Sequence, residues 1–197
     1  MTAAPIEPAL GLLELETIPA GIEAGDAMAK RAPIEVIRAG TVHPGKFLVL
    51  VGGAVADVEE ALEAGRAAGG LAVRDEVFLP SIHPQVVAGA RGMRQEAAVE
   101  ALGIIETATI PAILRAADAG LKGAHVRLLE LRLADDLGGK GYLLFGGEVT
   151  DVEAAVEIGV AAVGGARGLH ARVIAQLHQE MAAELAADAR FAARVGE

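Results

Sequence analysis

The chain has 197 residues, 53% of them hydrophobic, so it is long enough for one or two domains and too apolar to be disordered throughout. A net charge of −10 argues against nucleic-acid partners and against anionic membrane surfaces, because both would repel it. The absence of cysteine excludes disulfides and thiolate chemistry, and no signal-peptide pattern or membrane-length apolar run is visible, so we expect a soluble cytoplasmic protein.

Apolar runs separated by turn residues predict six elements in the first half of the chain. Thr17 is a candidate N-cap with Pro19 in the first turn of its helix, and Asp57 with Glu60 has the spacing of a capping box. The predicted elements are, in chain order, a strand over 9–16, a helix over 20–31, strands over 34–41 and 46–51, a helix over 57–68 and a strand over 71–79. This order is typical of the split βαβ, or ferredoxin-like, arrangement.

The second half of the chain repeats the first. The segment ALGLLE at 9–14 recurs as ALGIIE at 101–106, and GGAVADVE at 52–59 recurs as GGEVTDVE at 146–153, with two extra residues in one loop of the second copy. We therefore predict an α/β (α+β) protein of two ferredoxin-like domains, each an antiparallel four-stranded sheet with helices on one face. The predicted boundaries are 9–92 for the first domain, 93–100 for a connector, 101–181 for the second domain and 182–197 for a C-terminal helical extension.

The residues that usually carry chemistry are sparse. None of the five histidines has the spacing of a helical metal site, and His83 and His178 occupy equivalent repeat positions, which indicates a common structural role such as bonding a turn. Asp135-Asp136 is the one acidic pair placed in a loop between strands, and no acid–base partner or nucleophile accompanies it. We predict no catalytic residue, no metal and no cofactor.

Several motifs that occur twice resemble the shell proteins of bacterial microcompartments. They are GLLELE at 11–16, DAMAK at 26–30 and GGAVADV at 52–58. Two such domains in one chain resemble the tandem-domain class in its unpermuted order. The resemblance implies a homotrimer that mimics a hexagon and tiles with other microcompartment shell proteins into a sheet around encapsulated enzymes. It also implies a central pore that passes small metabolites.

The resemblance also implies roles for particular residues. In this family the loop between the second and third strands lines the pore, and a lysine lies at the edge between tiles. The corresponding pore-lining residues here are Thr41, Val42, His43, Pro44 and Gly45 in the first copy, and Ala134, Asp135, Asp136, Leu137, Gly138 and Gly139 in the second. The corresponding edge lysines are Lys30 and Lys122. Some tandem members hold an iron–sulfur cluster on a loop cysteine, but Ala39 stands near that place here.

Three copies each of Asp135 and Asp136 would make a negative constriction that opposes anions, and His43 would make it sensitive to pH. In the alternative arrangement the aspartates turn outward and leave backbone amides at the rim. The alternative to the shell function is a trimeric ferredoxin-like protein that binds or senses a small molecule. Neither function involves nucleic acid or a membrane.

Overall fold

The computed structural model describes residues 9–95, 99–165 and 168–187 as two four-stranded antiparallel sheets with six helices. The elements are, in chain order, β1 (Ala9–Leu15), α1 (Ile18–Arg31), β2 (Val36–Val42), β3 (Lys46–Gly53), α2 (Val55–Gly69), β4 (Val73–Leu79), α3 (Pro84–Ala90), β5 (Ala101–Thr107), α4 (Ile110–Gly123), β6 (Arg127–Leu133), β7 (Gly141–Gly147), α5 (Val149–Val163), β8 (His170–Ile174) and α6 (Gln179–Ala187). The strand orders β2-β3-β1-β4 and β6-β7-β5-β8 confirm the predicted duplicated ferredoxin-like fold.

Both faces of β1 are covered, which explains why all seven of its residues are buried. Leu13 and Leu15 lie in the apolar cluster formed with α1 and α2, whereas Leu10 and Leu12 lie in a cluster on the opposite face. Gly11 permits the close approach of α2, since a Cβ at this position would lie 2.7 Å from Leu62 Cδ1. The helices therefore occupy one face of the first sheet, as predicted, and something else covers the other.

The second domain supplies that cover. Helix α4 packs against β4 and β1, so Ile110 and Leu114 join Leu10 and Leu12 in one continuous cluster that crosses the domain boundary. Each domain is a thin two-layer unit, and burying the free face of its sheet against a neighbouring helix removes apolar surface from water. The two domains therefore share a core instead of forming independent units joined by a linker.

Several predicted boundaries and caps differ from the structure. Helix α2 begins at Val55 after Ala54, two residues before the expected start, so the interpretation of Asp57 as a capping residue was wrong. Thr17 does stand at the N-cap of α1, but its side chain makes no capping hydrogen bond. Helix α3 was not expected, and α6 begins at Gln179 instead of residue 182. The rest of the predicted C-terminal extension, 188–197, and part of the predicted connector, 96–98, lie outside the described residues.

Within the part of the chain that the structure describes, no helix combines the length and the apolar composition needed to cross a bilayer.

Candidate functional site

A buried carboxylate marks the junction between the two domains. Glu14 is completely buried at the end of β1, and its Oε2 accepts a hydrogen bond from the backbone N–H of Ile110 at 2.7 Å. That N–H belongs to the first turn of α4, where the helix dipole favours negative charge. The other oxygen, Oε1, accepts a hydrogen bond from Lys46 Nζ at 2.6 Å. The buried charge is thus paired and hydrogen-bonded, which is the condition for tolerating it in a core.

Polar contacts continue along the same junction in the later turns of α4. Asp118 accepts a hydrogen bond from the backbone N–H of His83 at 2.7 Å, and Arg115 donates to the carbonyl of Glu76 at 2.6 Å. Lys122 pairs with Asp118 at 2.5 Å and also donates to the carbonyl oxygen of Ser81. These bonds fix the register of α4 on the first domain.

The two lysines that the resemblance assigns to a tile edge therefore differ in the structure. Lys122 bridges the two domains through Asp118 and Ser81. Lys30 is exposed, and its ion pair with Asp26 at 2.5 Å stays within α1. Their contact with a neighbouring tile remains a prediction.

The surfaces of α1 and β8 that correspond to this junction in the repeat are exposed to solvent. On α4, Ile110 and Leu114 are fully buried, whereas their equivalents on α1, Ile18 and Ile22, are 38% and 59% exposed. Ile174 on β8 is likewise exposed although its equivalent Leu79 is buried. A soluble chain seldom leaves apolar residues on a face whose duplicate is a core, and exposed apolar patches of this kind mark interaction surfaces.

The ion pair at the equivalent position of the second domain is also exposed to solvent. Glu106 corresponds to Glu14, and Lys140, 2.9 Å from Glu106, corresponds to Lys46. Glu14 and Lys46 are almost completely buried by the second domain, whereas the Glu106–Lys140 pair is substantially exposed. The second domain therefore presents the same acceptor that the first domain uses to hold a helix N-terminus.

The first of the two candidate loops is shorter than predicted. Thr41 and Val42 are the last residues of β2 and pair with Phe47 and Lys46, so the turn proper consists of His43, Pro44 and Gly45. The expectation that Thr41 and Val42 belong to the loop was wrong because the β2–β3 hydrogen bonding continues through them. Both nevertheless line the groove that runs beside the turn.

The second candidate loop carries the two inserted residues. Its backbone takes positive φ at four positions, including the non-glycine residues Ala134 and Asp136. The chain closes on itself through hydrogen bonds from the backbone N–H groups of Leu137 and Gly139 to the carbonyl of Ala134. Gly138 tolerates its positive φ of 63° because it has no Cβ. The insertion therefore forms an ordered turn that holds Asp135 and Asp136 exposed.

The fold places the two loops side by side. The backbone N–H of His43 donates to Asp135 Oδ1 at 3.3 Å, and His43 Nδ1 lies 3.6 Å from the same oxygen. A Cβ at Gly139 would lie 2.8 Å from Pro44 Cδ, so only glycine allows this approach. The groove between the loops measures about 520 Å³ and is lined by Thr41, Val42, His43, Gly45, Asp135 and Asp136.

The paired histidines have the structural role that their equivalent positions indicated. His83 stands immediately before α3, and its Nδ1 accepts a hydrogen bond from the backbone N–H of Gln85 at 3.2 Å. His178 stands immediately before α6, and its Nδ1 accepts from the backbone N–H of Glu180 at 3.3 Å. Both side chains cap a helix start. In the ranges that the structure describes, no three acidic, histidine or cysteine side chains converge as a metal site would require.

Sequence reasoning missed a polar cluster beneath α6. Arg94 pairs with the buried carboxylate of Glu130 at 3.1 Å and donates to backbone carbonyls in the last turn of α6, including that of Ala187 at 3.2 Å. Tyr142 lies nearby on β7, with the guanidinium of Arg132 above its ring. Burial, assisted by the negative charge of Glu130, raises the pKa of Tyr142 to about 12. The charged residues inside the otherwise apolar run LLELRL were the available signal.

The chain is similar to proteins of bacterial microcompartments. The family model "BMC domain" matches residues 9–82 and again 101–177. The shell protein PduT of Citrobacter freundii is 37% identical over 175 residues, covering 88% of this chain and 95% of the relative. The carboxysome assembly protein CcmO of Synechococcus elongatus is 33% identical over 171 residues, which cover 78% of this chain and 59% of CcmO.

Solved structures agree with these relatives. A microcompartment protein from Desulfitobacterium hafniense superposes with a TM-score of 0.74 at 37% identity, covering 88% of this chain and 97% of that one. A fused permuted hexameric shell protein, MSM0275, shares the fold with a TM-score of 0.59 at 20% identity, covering 78% of this chain and 82% of that one. The relatives do not favour the small-molecule sensor. Since the domain model accounts for most of both halves, the chain belongs to the BMC-domain family of bacterial microcompartment shell proteins.

Proposed function

We propose that this microcompartment shell protein works as a ring of three copies, in which six domains surround a central pore for small metabolites. Membership of the family establishes the structural role in the shell, and the ring of three copies is what we propose beyond it. Successive domains in such a ring meet at two kinds of junction. One lies within each chain, and the other joins the second domain of one copy to the first domain of the next.

The observation that carries the proposal is the contrast between α4 and α1. Ile110 and Leu114 on α4 are buried against the first domain, whereas Ile18 and Ile22 on α1 occupy the same positions and are exposed. If α1 of a neighbouring copy packs on β8 and β5 as α4 packs on β4 and β1, these residues become core. A head-to-tail contact of this kind repeats until the ring closes.

The polar pattern supports the same closure. Glu106 would accept a hydrogen bond from the backbone N–H of Ile18 in the next copy, as Glu14 accepts one from Ile110. Asp26 would accept from the backbone N–H of His178 in the neighbour, as Asp118 accepts from His83. The two junctions would then be chemically alike, which lets a duplicated chain imitate a hexagon.

The two loops would meet around the axis of such a ring. His43 and Asp135 are in contact within one chain, so three copies would bring six loops together around the axis. The exposed carboxylates of Asp135 and Asp136 would form a ring of negative charge. Such rings favour cations and polar neutral solutes over anions. We therefore expect the pore to pass small uncharged or cationic metabolites more readily than anionic ones.

The ring is tested by the mass of the protein in solution with Ile22→Glu and a matched control. Ile22→Glu places a charge in the proposed junction, so we expect monomers, with the circular dichroism of the parent. Leu71→Glu, at a fully exposed position outside α1, should leave the trimer intact. A parent protein that is monomeric at micromolar concentration would disprove the ring.

The pore charge is tested separately by anion permeability of assembled shells. Replacing Asp135 and Asp136 by serine removes the proposed ring of charge without lengthening either side chain. We expect faster entry of a small dianion and little change for a neutral solute of the same size. Equal anion entry in parent and variant would show that the aspartates turn away from the pore.

A further inference from the structure

The two edge strands β2 and β6 are equivalent in the repeat but differ in what covers them. Helix α3 and the segment after it lie along β6. The Gln85 side chain accepts a hydrogen bond from the backbone N–H of Leu128 at 2.9 Å, and the backbone N–H of Gln95 donates to the carbonyl of Leu129 at 2.9 Å. In contrast, the central residues of β2 are exposed, with Ile37, the equivalent of Leu128, 38% accessible. An exposed edge strand of seven residues offers backbone groups with which another segment can pair.

Helix α6 is the repeat equivalent of α3. Each follows the last strand of its domain by the same number of residues, and each begins after a histidine that caps it in the same way. Val86 of α3 is fully buried beside β6, whereas its equivalent in α6, Met181, is 49% exposed. In the single chain, α6 therefore does not make the contact that its counterpart makes.

In the single chain α6 lies instead on the free face of the second sheet. Leu177 and Leu185 contact the buried cluster of Leu102, Leu129 and Leu144. Leu102 and Leu144 are equivalent to Leu10 and Leu50, which join the cluster that α4 completes on the first sheet. Helix α6 thus occupies part of the surface that α1 of the next copy would cover.

We propose that α6 is an exchanged arm, which leaves this face when the ring closes and lies along β2 of the next copy as α3 lies along β6. The proposal rests on the ring described above. The partner is therefore a second copy of this chain, and α1 of that copy takes the place that α6 vacates. One transfer would cover both an open strand edge and an exposed methionine.

The side chains of the two surfaces are complementary in size. Gly89 of α3 faces Leu131 so closely that a Cβ on Gly89 would lie 2.9 Å from Leu131 Cβ. At the equivalent positions of α6 and β2 the large and small residues are reversed, because Glu184 stands in place of Gly89 and Ala39 in place of Leu131. Packing conserves volume in this way when two surfaces fit one another.

The same surfaces are complementary in polarity. Met181 would meet Ile37, which pairs two apolar side chains that are exposed in the single chain. Glu180 stands where Gln85 accepts the Leu128 N–H, so its carboxylate would accept the N–H of Ile37. The negative charges of Glu180 and Glu184 would also lie near Arg38 on β2, which is favourable at a strand edge.

Cysteine trapping tests the arm directly, because the natural chain contains no cysteine. In the double variant Ala39→Cys with Glu184→Cys, the two sulfurs would come together between copies, within the range of a disulfide. We expect oxidation to link most chains into covalent dimers and trimers on a non-reducing gel. Each single variant serves as a control and should give few such products.

A second pair distinguishes failure of the arm from failure of the ring. Leu144→Cys with Leu185→Cys reports α6 on its own domain, and an intrachain disulfide in most chains of a trimer would overturn the exchange. A trimer in solution with that result would leave the proposed ring standing. A monomer by mass would remove the ring itself.

Hydrogen exchange gives a measurement that needs no cysteine. In the full-length trimer we expect the backbone amides of 36–42 to be protected, and Met181→Glu to speed their exchange about tenfold or more by releasing the arm. Residues 127–133, covered by α3, should not change. Protection of β2 that is unaffected by Met181→Glu would mean that another segment covers it, and would overturn the proposal.

Discussion

Glu14 and Glu106 show how a neighbouring domain decides whether the same residue is buried or exposed. Both are the penultimate residue of the first strand of their domain, and both pair with a lysine, Lys46 and Lys140 respectively. Only Glu14 is buried, because α4 of the second domain places a helix N-terminus on it. A paired and hydrogen-bonded carboxylate avoids the large cost of an isolated buried charge. The difference is supplied by the neighbour, so it is invisible in either sequence motif.

Tyr142 yields a pH prediction at the same scale. Its hydroxyl is buried and finds no hydrogen-bond partner among the described residues, and the pKa of Tyr142 is raised to about 12 from 10. Because the folded pKa lies above the unfolded one, the folded chain keeps its proton between pH 10 and 12 while the unfolded chain loses it. Stability linked to Tyr142 is therefore complete below pH 10 and declines as the pH rises towards 12.

Tyr142→Phe is the variant that isolates this contribution. We expect it to be as stable as the parent at pH 7, or about 1 kcal/mol more stable, because it removes an unsatisfied hydroxyl. The advantage of the variant should grow between pH 10 and 12, as measured by urea unfolding of both proteins at each pH. A constant difference across that range would show that the hydroxyl is not protected in the folded chain.

At the scale of elements, glycines set how closely helices approach one another and the sheet. Helix α5 crosses α4 at Gly159, where a Cβ would lie 2.8 Å from Ile105 Cδ1 and 3.1 Å from the backbone oxygen of Ala116. The backbone oxygen cannot move aside as a side chain can. Gly25 in α1 differs, because a Cβ there would meet only the methyl groups of Val49 at 3.6 Å.

Alanine at the two positions should therefore have opposite effects. We expect Gly159→Ala to destabilise the protein by about 1–3 kcal/mol through overpacking. We expect Gly25→Ala to stabilise it by about 0.5–1 kcal/mol, because alanine is the better helix former and the space is available. Thermal unfolding followed by circular dichroism compares the two, and equal destabilisation would contradict the packing argument.

The repeat made most elements predictable, because the same pattern of apolar and turn residues occurs in both halves of the sequence. The strand order and the position of the inserted loop followed from periodicity and from the change in spacing. The start of α2 did not follow from the sequence, because Ala54 stands at its N-cap and has no side chain that could make a capping hydrogen bond. Helix α3 was missed because so short a segment depends on its contacts with the other domain, above all with β6.

The candidate site was less predictable than the fold for the same reason. Periodicity placed both loops at the same end of the repeat, but it could not show that His43 contacts Asp135. Likewise, Lys30 and Lys122 are alike in sequence, and only the tertiary structure brings Lys122 to the carbonyl of Ser81. Contacts between copies of a repeat depend on how the copies dock, which no pattern within one copy records.

At the scale of the whole molecule, one of the two proposed junctions forms within the chain, and the other would form between two copies. The closed junction buries apolar side chains and Glu14, and the open one exposes their equivalents Ile18, Ile22 and Glu106. Because ring closure adds buried surface only in the folded state, the midpoint of thermal unfolding should rise with protein concentration. The acidic net charge would act in the other direction between the proposed rings, because two rings of the same sign repel one another when they tile.

Lys30 is the residue through which that repulsion can be tested. It is exposed at the end of α1 and is predicted to lie at the edge between tiles, so Lys30→Ala would remove a positive charge from that edge without disturbing Ile18 and Ile22. We expect the variant to remain a trimer in solution but to form few or no extended sheets, as seen by negative-stain electron microscopy. Arg66→Ala, which removes an exposed positive charge paired with a carboxylate from α2, is the matched control and should still form sheets. Sheets of equal extent from Lys30→Ala and the parent would show that the lysine does not lie between tiles and that the rings associate through another part of the rim.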